Sequence, residues 1–428
     1  MIDWRTAQPP QITHHQSHDC LLRGWSDRDD RALDAIVVPA SRPAYNLVTA
    51  FELGATLGTT VIVLASHRTC AKEAAALADD VPGLRCAVVD LSNLGLSVLP
   101  TFQTSRSRAA RLHRLGDLSV KRNLGLVLGR LVGWRALMFL DDDLRDLDPD
   151  VVEQAVGGLG ERAAVGIRAK SFPDNSVVCH ARRAAGHQQG VFVSGAALMV
   201  DCQQVDSFFP DTYNEDWFFL APLLDSRRVG AVGKVRQLPY NPFADVGRAA
   251  AEEFGEVLAE GLIGLLHTTA LPERVPAEYW TAFVRCRKEF IRGARTESTE
   301  SALDAAGDVL AGISPDELSA YVDAWRQDLV IWRDYLEELP RIDDLAGALN
   351  HLDLTHSGEL AALEPRPAPL PARRPATATS FDPVGPNHAL WVAKPEGEHS
   401  WIAGSTYPEY RPVEPLARSN GPTVRRRS

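Results

Sequence analysis

Four short, continuous apolar runs separated by helical patterns constrain the fold of this 428-residue chain more than any other feature. Ala35-Ile36-Val37-Val38, ended by Pro39, reads as a buried strand. Thr60-Val61-Ile62-Val63-Leu64, Cys86-Ala87-Val88-Val89 and Ala136-Leu137-Met138-Phe139-Leu140 read the same way. Between them, Tyr45 to Leu57 places Leu47, Ala50, Phe51 and Ala55 at helical spacing, and Ala71 to Ala78 is alanine-rich. From about Val120 to Val132 the residues Val120, Leu124, Val127, Leu128 and Leu131 share one stripe. Strands apolar along their whole length are buried on both faces. The alternation therefore predicts an α/β chain with a parallel sheet covered by helices on both faces.

The rest of the chain divides around that unit. Residues 1–30 are polar and aperiodic and read as an N-terminal extension; residues 31–270 form the α/β unit. Its later part mixes helical stretches with short strands at Val177-Val178, Val191 to Val193 and Ala196 to Val200. Residues 271–362 read as a helical region, in which Ser314-Pro315-Asp316-Glu317 forms a capping box opening a helix to about Leu339. Residues 363–428 hold twelve of the 28 prolines and read as a proline-rich tail without regular elements.

Composition excludes several classes. No apolar run reaches the ~18–20 residues needed to span a bilayer, so no transmembrane segment is expected. The first twenty residues lack an apolar signal region. Six scattered cysteines without a CxxC pair suit reduced thiols in a cytoplasm. A net charge of −11 argues against a general nucleic-acid binder and leaves room for a local basic site.

Three constellations carry chemistry. The fourth strand runs straight into Asp141-Asp142-Asp143, and like charges this close raise one another's pKa. A hard divalent cation, Mn²⁺ or Mg²⁺, relieves that conflict at the carboxyl end of a strand, where open α/β sheets bind ligands. The alternative is a solvated acidic turn. Ser119-Val120-Lys121-Arg122-Asn123 puts two cations in a helix's first turn against its dipole, which suits a docked phosphate or, alternatively, two exposed basic residues. Asn214-Glu215-Asp216 precedes an apolar run at the lip of the core, where partial burial tunes a general base; a simple helix start is the alternative.

In this order, over roughly residues 33–270, these pieces resemble the glycosyltransferases of the GT-A fold, especially the family 2-like group, which implies an α/β, Rossmann-like, mixed, mainly parallel sheet flanked by helices. Ile36 to Pro43 looks like the first strand and nucleotide-binding loop, with Pro39, Ser41 and Arg42 toward the nucleotide. Lys121-Arg122-Asn123-Leu124-Gly125 is similar to the Arg-Asn-x-Gly helix start, and Leu140-Asp141-Asp142-Asp143 to the DxD motif. The resemblance implies a metal-dependent transfer of sugar from a nucleotide-diphosphate sugar to a small-molecule or glycan acceptor. Asp141 would approach the ribose or the metal's water, Asp142 lies beside it, and Asp143 would ligate the metal. Val193 to Leu198 is similar to the glycine segment on the acceptor side. Asn214-Glu215-Asp216 looks like the ED motif, with Asp216 the catalytic base and Glu215 its competitor. The second strand ends in Ser66-His67 where the family commonly has aspartates that read the base, and Asp90 could supply that contact.

His267, closing an apolar stretch, is a third metal ligand by resemblance to retaining members, or a capping residue. His187 is a loop candidate for acceptor contact. His14, His15, His18 and Cys20 lack matched ligand spacing. A sugar nucleotidylyltransferase would carry a glycine-rich loop with an arginine and a lysine after the first strand, which Pro39 to Pro43 is not. An aspartyl-nucleophile phosphohydrolase would open on its DxD strand. A non-catalytic nucleotide- or glycan-binding module on the same fold is the remaining alternative.

Overall fold

The structure, a computed structural model, describes residues 14, 17–25, 30–92, 98–107, 116–170, 176–188, 190–354 and 356–357. Its α/β unit comprises β1 (Ala35–Ala40), α1 (Val48–Leu57), β2 (Thr60–Ala65), α2 (Ala71–Asp79), β3 (Arg85–Asp90), α3 (Leu118–Val132), β4 (Ala136–Leu140) and β5 (Leu144–Arg145). It continues with α4 (Pro149–Gly157), β6 (Ala164–Lys170), α5 (Val177–Ala184), β7 (Ala197–Asp201), α6 (Glu215–Asp225), β8 (Val229–Gln237) and α7 (Val246–Leu266). Then follow α8 (Ala277–Arg292), α9 (Glu300–Gly312), α10 (Pro315–Glu338), α11 (Leu345–His351) and β9 (His356–Ser357).

One mixed sheet joins all nine strands in the order β5-β8-β6-β7-β4-β1-β2-β3-β9. β1 pairs in parallel with β2 and β4, β2 with β3, and β6 with β8. β7 runs antiparallel between β4 and β6, and β5 and β9 are antiparallel edges. Three of the four parallel ladders are longer than any antiparallel one, so the expected mixed, mainly parallel sheet forms. Burial on both faces is visible within β2. Val61 and Val63 pack with α1 and α2, whereas Ile62 and Leu64 join the larger core on the opposite face. That larger core runs without a break from Leu124 and Phe218 to Trp280, Trp325, Trp332 and Leu349. The C-terminal helices therefore share one apolar interior with the sheet, and each of those three tryptophans is fully buried.

Several local expectations change. Pro39 lies inside β1 rather than ending it, because the ladder to β4 stops at Val37 and the N–H that proline lacks is not required beyond it. Val177-Val178 opens α5 instead of forming a strand; Ser176 Oγ accepts from Cys179 N at 3.2 Å and caps the helix. Val191 to Val193 stays outside the sheet and pairs with the N-terminal segment: His18 N donates to Val191 O at 2.8 Å, and Val193 N to His18 Nδ1 at 3.1 Å. His18 and Leu21 are buried, so part of the expected extension belongs to the core surface. α10 begins at Pro315 as expected, but Ser314 makes no side-chain cap bond, and the capping box is not closed. The proline-rich tail, residues 363–428, lies outside the described residues.

Candidate active site

The three aspartates at the carboxyl end of β4 face three different partners. Asp142 is buried and accepts from the backbone N–H groups of Ser41 and Arg42, both at 2.9 Å, and from Arg42 Nη1. It thereby seats the loop that leaves β1. Asp143, also buried, accepts from Arg42 Nη2 at 2.9 Å and from Gln237 Nε2 at 3.2 Å. Asp141 is more exposed and accepts from Arg122 Nη2 at 3.0 and 3.2 Å. Each carboxylate thus meets a cation or a pair of amides, which removes the mutual repulsion read from the sequence.

The cations of α3 are neither exposed nor open to a ligand. Lys121 is buried, and its Nζ donates to Ala40 O at 2.7 Å and Ser66 Oγ at 2.7 Å and pairs with Asp117 Oδ1 at 3.0 Å. Burial pulls its pKa down, and Asp117 works against that pull. With three donors used, Lys121 braces the ends of β1 and β2; the expectation that it touches the donor is corrected. Arg122 is buried too, and bridges Asp141 to Glu215 through its two terminal nitrogens. Asn123 exchanges two hydrogen bonds with the Phe209 backbone, at 2.8 and 2.9 Å, and fixes the chain ahead of α6.

Glu215 and Asp216 open α6 and diverge in environment. Glu215 is buried; burial pushes its pKa up while Arg122 pulls the other way. Asp216 is only partly buried, and its Oδ2 accepts from Gly195 N at 2.7 Å. Gly195 permits this arrangement because a Cβ there would lie 2.5 Å from Arg122 Cζ. Asn214 adopts a left-handed φ of 59° and makes no cap bond, so a plain capped helix start does not account for this triplet.

The remaining candidates scatter. Asp90 ends β3 at the same edge of the sheet, exposed, with its carboxylate accepting from Ser92 N at 2.9 Å. Pro39 is held within the β1–β2 ladder, opposite Leu64, rather than in the loop that follows β1. His267 caps α7, with Nε2 2.7 Å from Ser17 O and Nδ1 3.1 Å from Cys20 Sγ. Both ring nitrogens are engaged by the N-terminal segment, so the capping alternative describes His267 here and the metal-ligand expectation is corrected. His187 contacts Gly293 O at 2.9 Å, against the helical region. His14 pairs with Glu260 at 3.0 Å and His18 packs on Trp217, so these two histidines do not converge; His15 lies outside the described residues.

For a divalent cation, the donor chemistry at Asp143 fits: a buried carboxylate at a strand end suits a hard cation that takes one or two carboxylates plus phosphate oxygens. A ready three-ligand set of Asp141, Asp143 and His267 is not assembled. Among the described residues, the Cys/His/carboxylate group whose ligand atoms lie within 4.8 Å of one another is instead Cys179, Glu256 and Glu260, between α5 and α7. Arg287 Nη1 already lies 3.5 and 3.8 Å from those two glutamates. Sequence reasoning missed Gln237, which reaches Asp143 only through the β8–β5 ladder. It also missed Asp117, whose position four residues before Lys121 was a readable signal.

No protein-family model matches the sequence, and no curated protein matches it. Among solved structures, the chain is similar to the mannosyltransferase PcManGT from Pyrobaculum calidifontis in complex with GDP-Man and Mn²⁺. The identity is 13% over 78% of this chain and 93% of that one, with a TM-score of 0.36. It is also similar to the M. tuberculosis glucosyl-3-phosphoglycerate synthase, at 12% identity over 57% of this chain and 83% of that one, with a TM-score of 0.34. Likenesses this remote carry no inference about function.

Proposed function

We propose that the chain is a glycosyltransferase that moves a sugar from a nucleotide-diphosphate sugar to an acceptor hydroxyl. The observation that carries this reading is the Arg122 bridge, which draws the acidic end of β4 and the Glu215-Asp216 pair of α6 into one site. That site lies beyond the carboxyl end of a central strand, where open α/β sheets bind ligands.

In this reading the Ser41-Arg42 loop, seated on Asp142, and Asp90 at the end of β3 form the nucleotide side. Asp141 approaches the ribose. Asp143 would hold Mn²⁺ or Mg²⁺, which when bound neutralises charge on the departing diphosphate. Asp216 is the base, because it is the more exposed of the two carboxylates, whereas Glu215 is engaged by Arg122. The acceptor oxygen attacks the anomeric carbon, its proton passes to Asp216, and the carbon–oxygen bond to the diphosphate breaks with the electron pair leaving on the nucleotide. This is the inverting course. The retaining course, in which the acid pair only orients the acceptor, loses the support that a His267 ligand would have given it.

No helix among the described residues is long and apolar enough to cross a membrane. All six cysteines are free, which supports a reducing, cytoplasmic setting within this proposal. The test is a thermal-shift panel of nucleoside diphosphates with and without Mn²⁺, followed by transfer assays. Stabilisation by one diphosphate that depends on metal supports the reading; indifference to all of them refutes it. Binding without any Asp216-dependent transfer would favour the non-catalytic module.

A further inference from the structure

In a chain of net charge −11, five cations meet on one edge of the sheet. The parallel ladder of β6 and β8 opposes Arg168 to Lys234 and Lys170 to Arg236, and the antiparallel ladder of β8 and β5 opposes Arg236 to Arg145. Directly paired residues project from one face, so β6 and β8, spaced ~4.8 Å apart, present Arg168, Lys170, Lys234 and Arg236 together, whereas the Arg145 guanidinium is taken by Asn46 Oδ1 at 2.6 Å and Leu144 O at 2.7 Å. Like charges directly opposite one another destabilise a sheet. Among the described residues, one ion pair, Arg236 Nε to Asp146 Oδ2 at 2.5 Å, neutralises part of this set. Lys170 and Lys234 are exposed, and Arg168 Nε is buried without a hydrogen-bond partner.

The register that aligns these charges is built by an irregularity. Pairing slips between Ile167 and Arg168, beside Gly233, which takes a left-handed φ of 53° and where a Cβ would meet Val151 Cγ1 at 2.3 Å. Val232 and Val235, three residues apart, both pack in the cluster that holds Val152 and Val156 of α4. Strict alternation would place Lys234 on that apolar face with Val232. The extra residue turns Lys234 away from α4 and into line with Arg168, as a bulge beside a site re-aims its neighbours. The row also adjoins the aspartates. Leu238 N donates to Asp143 O at 3.0 Å, and Arg145 Nη1 to Asp142 O at 3.1 Å.

We propose that Arg168, Lys170, Lys234 and Arg236 form an anion platform for the acceptor, and that this acceptor carries a phosphate monoester. The proposal rests on the glycosyltransferase reading. The sheet order separates the platform from the donor's diphosphate: β1, β2 and β3 with their loops lie on one side of β4, and β6, β8 and β5 on the other. Guanidinium forks beside ammonium point charges suit a dianionic phosphate. The phosphate belongs either to a soluble acceptor or to a lipid headgroup.

Calorimetric titration with glycerol phosphate, and cosedimentation with phosphatidylcholine vesicles containing phosphatidic acid, test this on the full chain. The variant is Lys170→Gln with Lys234→Gln, both exposed, and the control is the exposed Lys72→Gln on α2. Glycerol phosphate should bind the wild type, and the double variant should weaken it at least ~10-fold, which is about 1.4 kcal/mol. Nucleoside diphosphate binding with Mn²⁺ should stay unchanged. Binding of the vesicles but not of glycerol phosphate supports the platform and places the phosphate on a lipid. Equal binding by wild type and double variant, or no phosphate binding at all, overturns the proposal. An equal loss of nucleoside diphosphate binding assigns the row to the donor and also overturns it. Glycerol phosphate bound by a chain that ignores every nucleoside diphosphate keeps the anion site and removes the transferase reading beneath it.

Discussion

Glu215 and Asp141 share a single guanidinium: Arg122 Nη1 donates to Glu215 and Nη2 to Asp141 at 3.0 Å. One carboxylate belongs to α6 and the other to the end of β4, and the cation between them is buried. Two acidic motifs with no local relationship in the sequence are locked into one site by the first turn of α3.

Removing that cation leaves charges stranded in the interior. Arg122→Met should destabilise the fold by about 3–5 kcal/mol, the cost of an uncompensated buried charge. Urea unfolding reads this directly. The double variant Arg122→Met with Glu215→Leu should recover part of the loss, because no buried carboxylate then faces the vacated place. A double variant no more stable than Arg122→Met would show that the bridge does not matter energetically.

Asp143→Asn keeps the shape of a buried side chain that meets Arg42 and Gln237. The fold should persist, and metal-dependent stabilisation by a nucleoside diphosphate should vanish. At a ligand concentration of 100 times Kd, the wild type should gain ~2.7 kcal/mol that the variant lacks. Thermal shift with and without Mn²⁺ decides it.

Asp216 and Glu215 should separate kinetically. Asp216→Asn should leave diphosphate binding intact and cut transfer by ~10²–10⁴-fold, the usual weight of a general base. Glu215→Gln should lower stability and disturb both steps, since it breaks the bond to Arg122 rather than removing a base. Transfer at the wild-type rate by Asp216→Asn would exclude the assigned role.

The stability that Glu252 and Glu256 contribute should fall as pH rises toward neutrality. Burial lifts Glu252 and Glu256 on α7 from the ordinary 4.5 to about 7, with Arg248 and Arg287 respectively opposing the shift. The folded state therefore holds protons that the unfolded chain releases near its ordinary value. The resulting stabilisation is complete below about pH 4.5 and is lost as pH climbs through about 7. Burial lowers His18 and His180 to about 3, and these groups act in the opposite direction below about pH 6.5, so the comparison is made against Glu256→Gln: across urea midpoints from pH 5 to 8 the wild type should lose stability relative to the variant.

Much of the sheet was readable locally. β4 occupies the expected Ala136–Leu140, and β1 to β3 depart from their expected runs by one or two residues at their ends. Continuous apolar runs admit few other fates in a chain of this kind. Val177-Val178 failed because a preceding serine cap outweighs the β preference of two valines. At the site, the acidic triplet and the Glu215-Asp216 pair stood out through charge abutting apolar residues. The roles within each group did not, since adjacent acids meet partners from different elements: Asp141 meets Arg122, Asp142 the Ser41 and Arg42 amides, Glu215 Arg122, and Asp216 the Gly195 amide.

From its residues alone, this protein commits to a helix-flanked α/β sheet with an acidic cluster at the end of a central strand, because apolar period and charge placement act over a few neighbours. Tertiary structure decided which acid meets which cation. It buried Lys121 as a brace, turned His267 toward Cys20, and gave Asp143 a glutamine partner from β8. It also gathered basic residues from β6 and β8 through a slip beside Gly233. Those outcomes depend on strand register and on pairing across long loops. A one-residue change of register reverses every side chain of a strand, and no local pattern encodes that register.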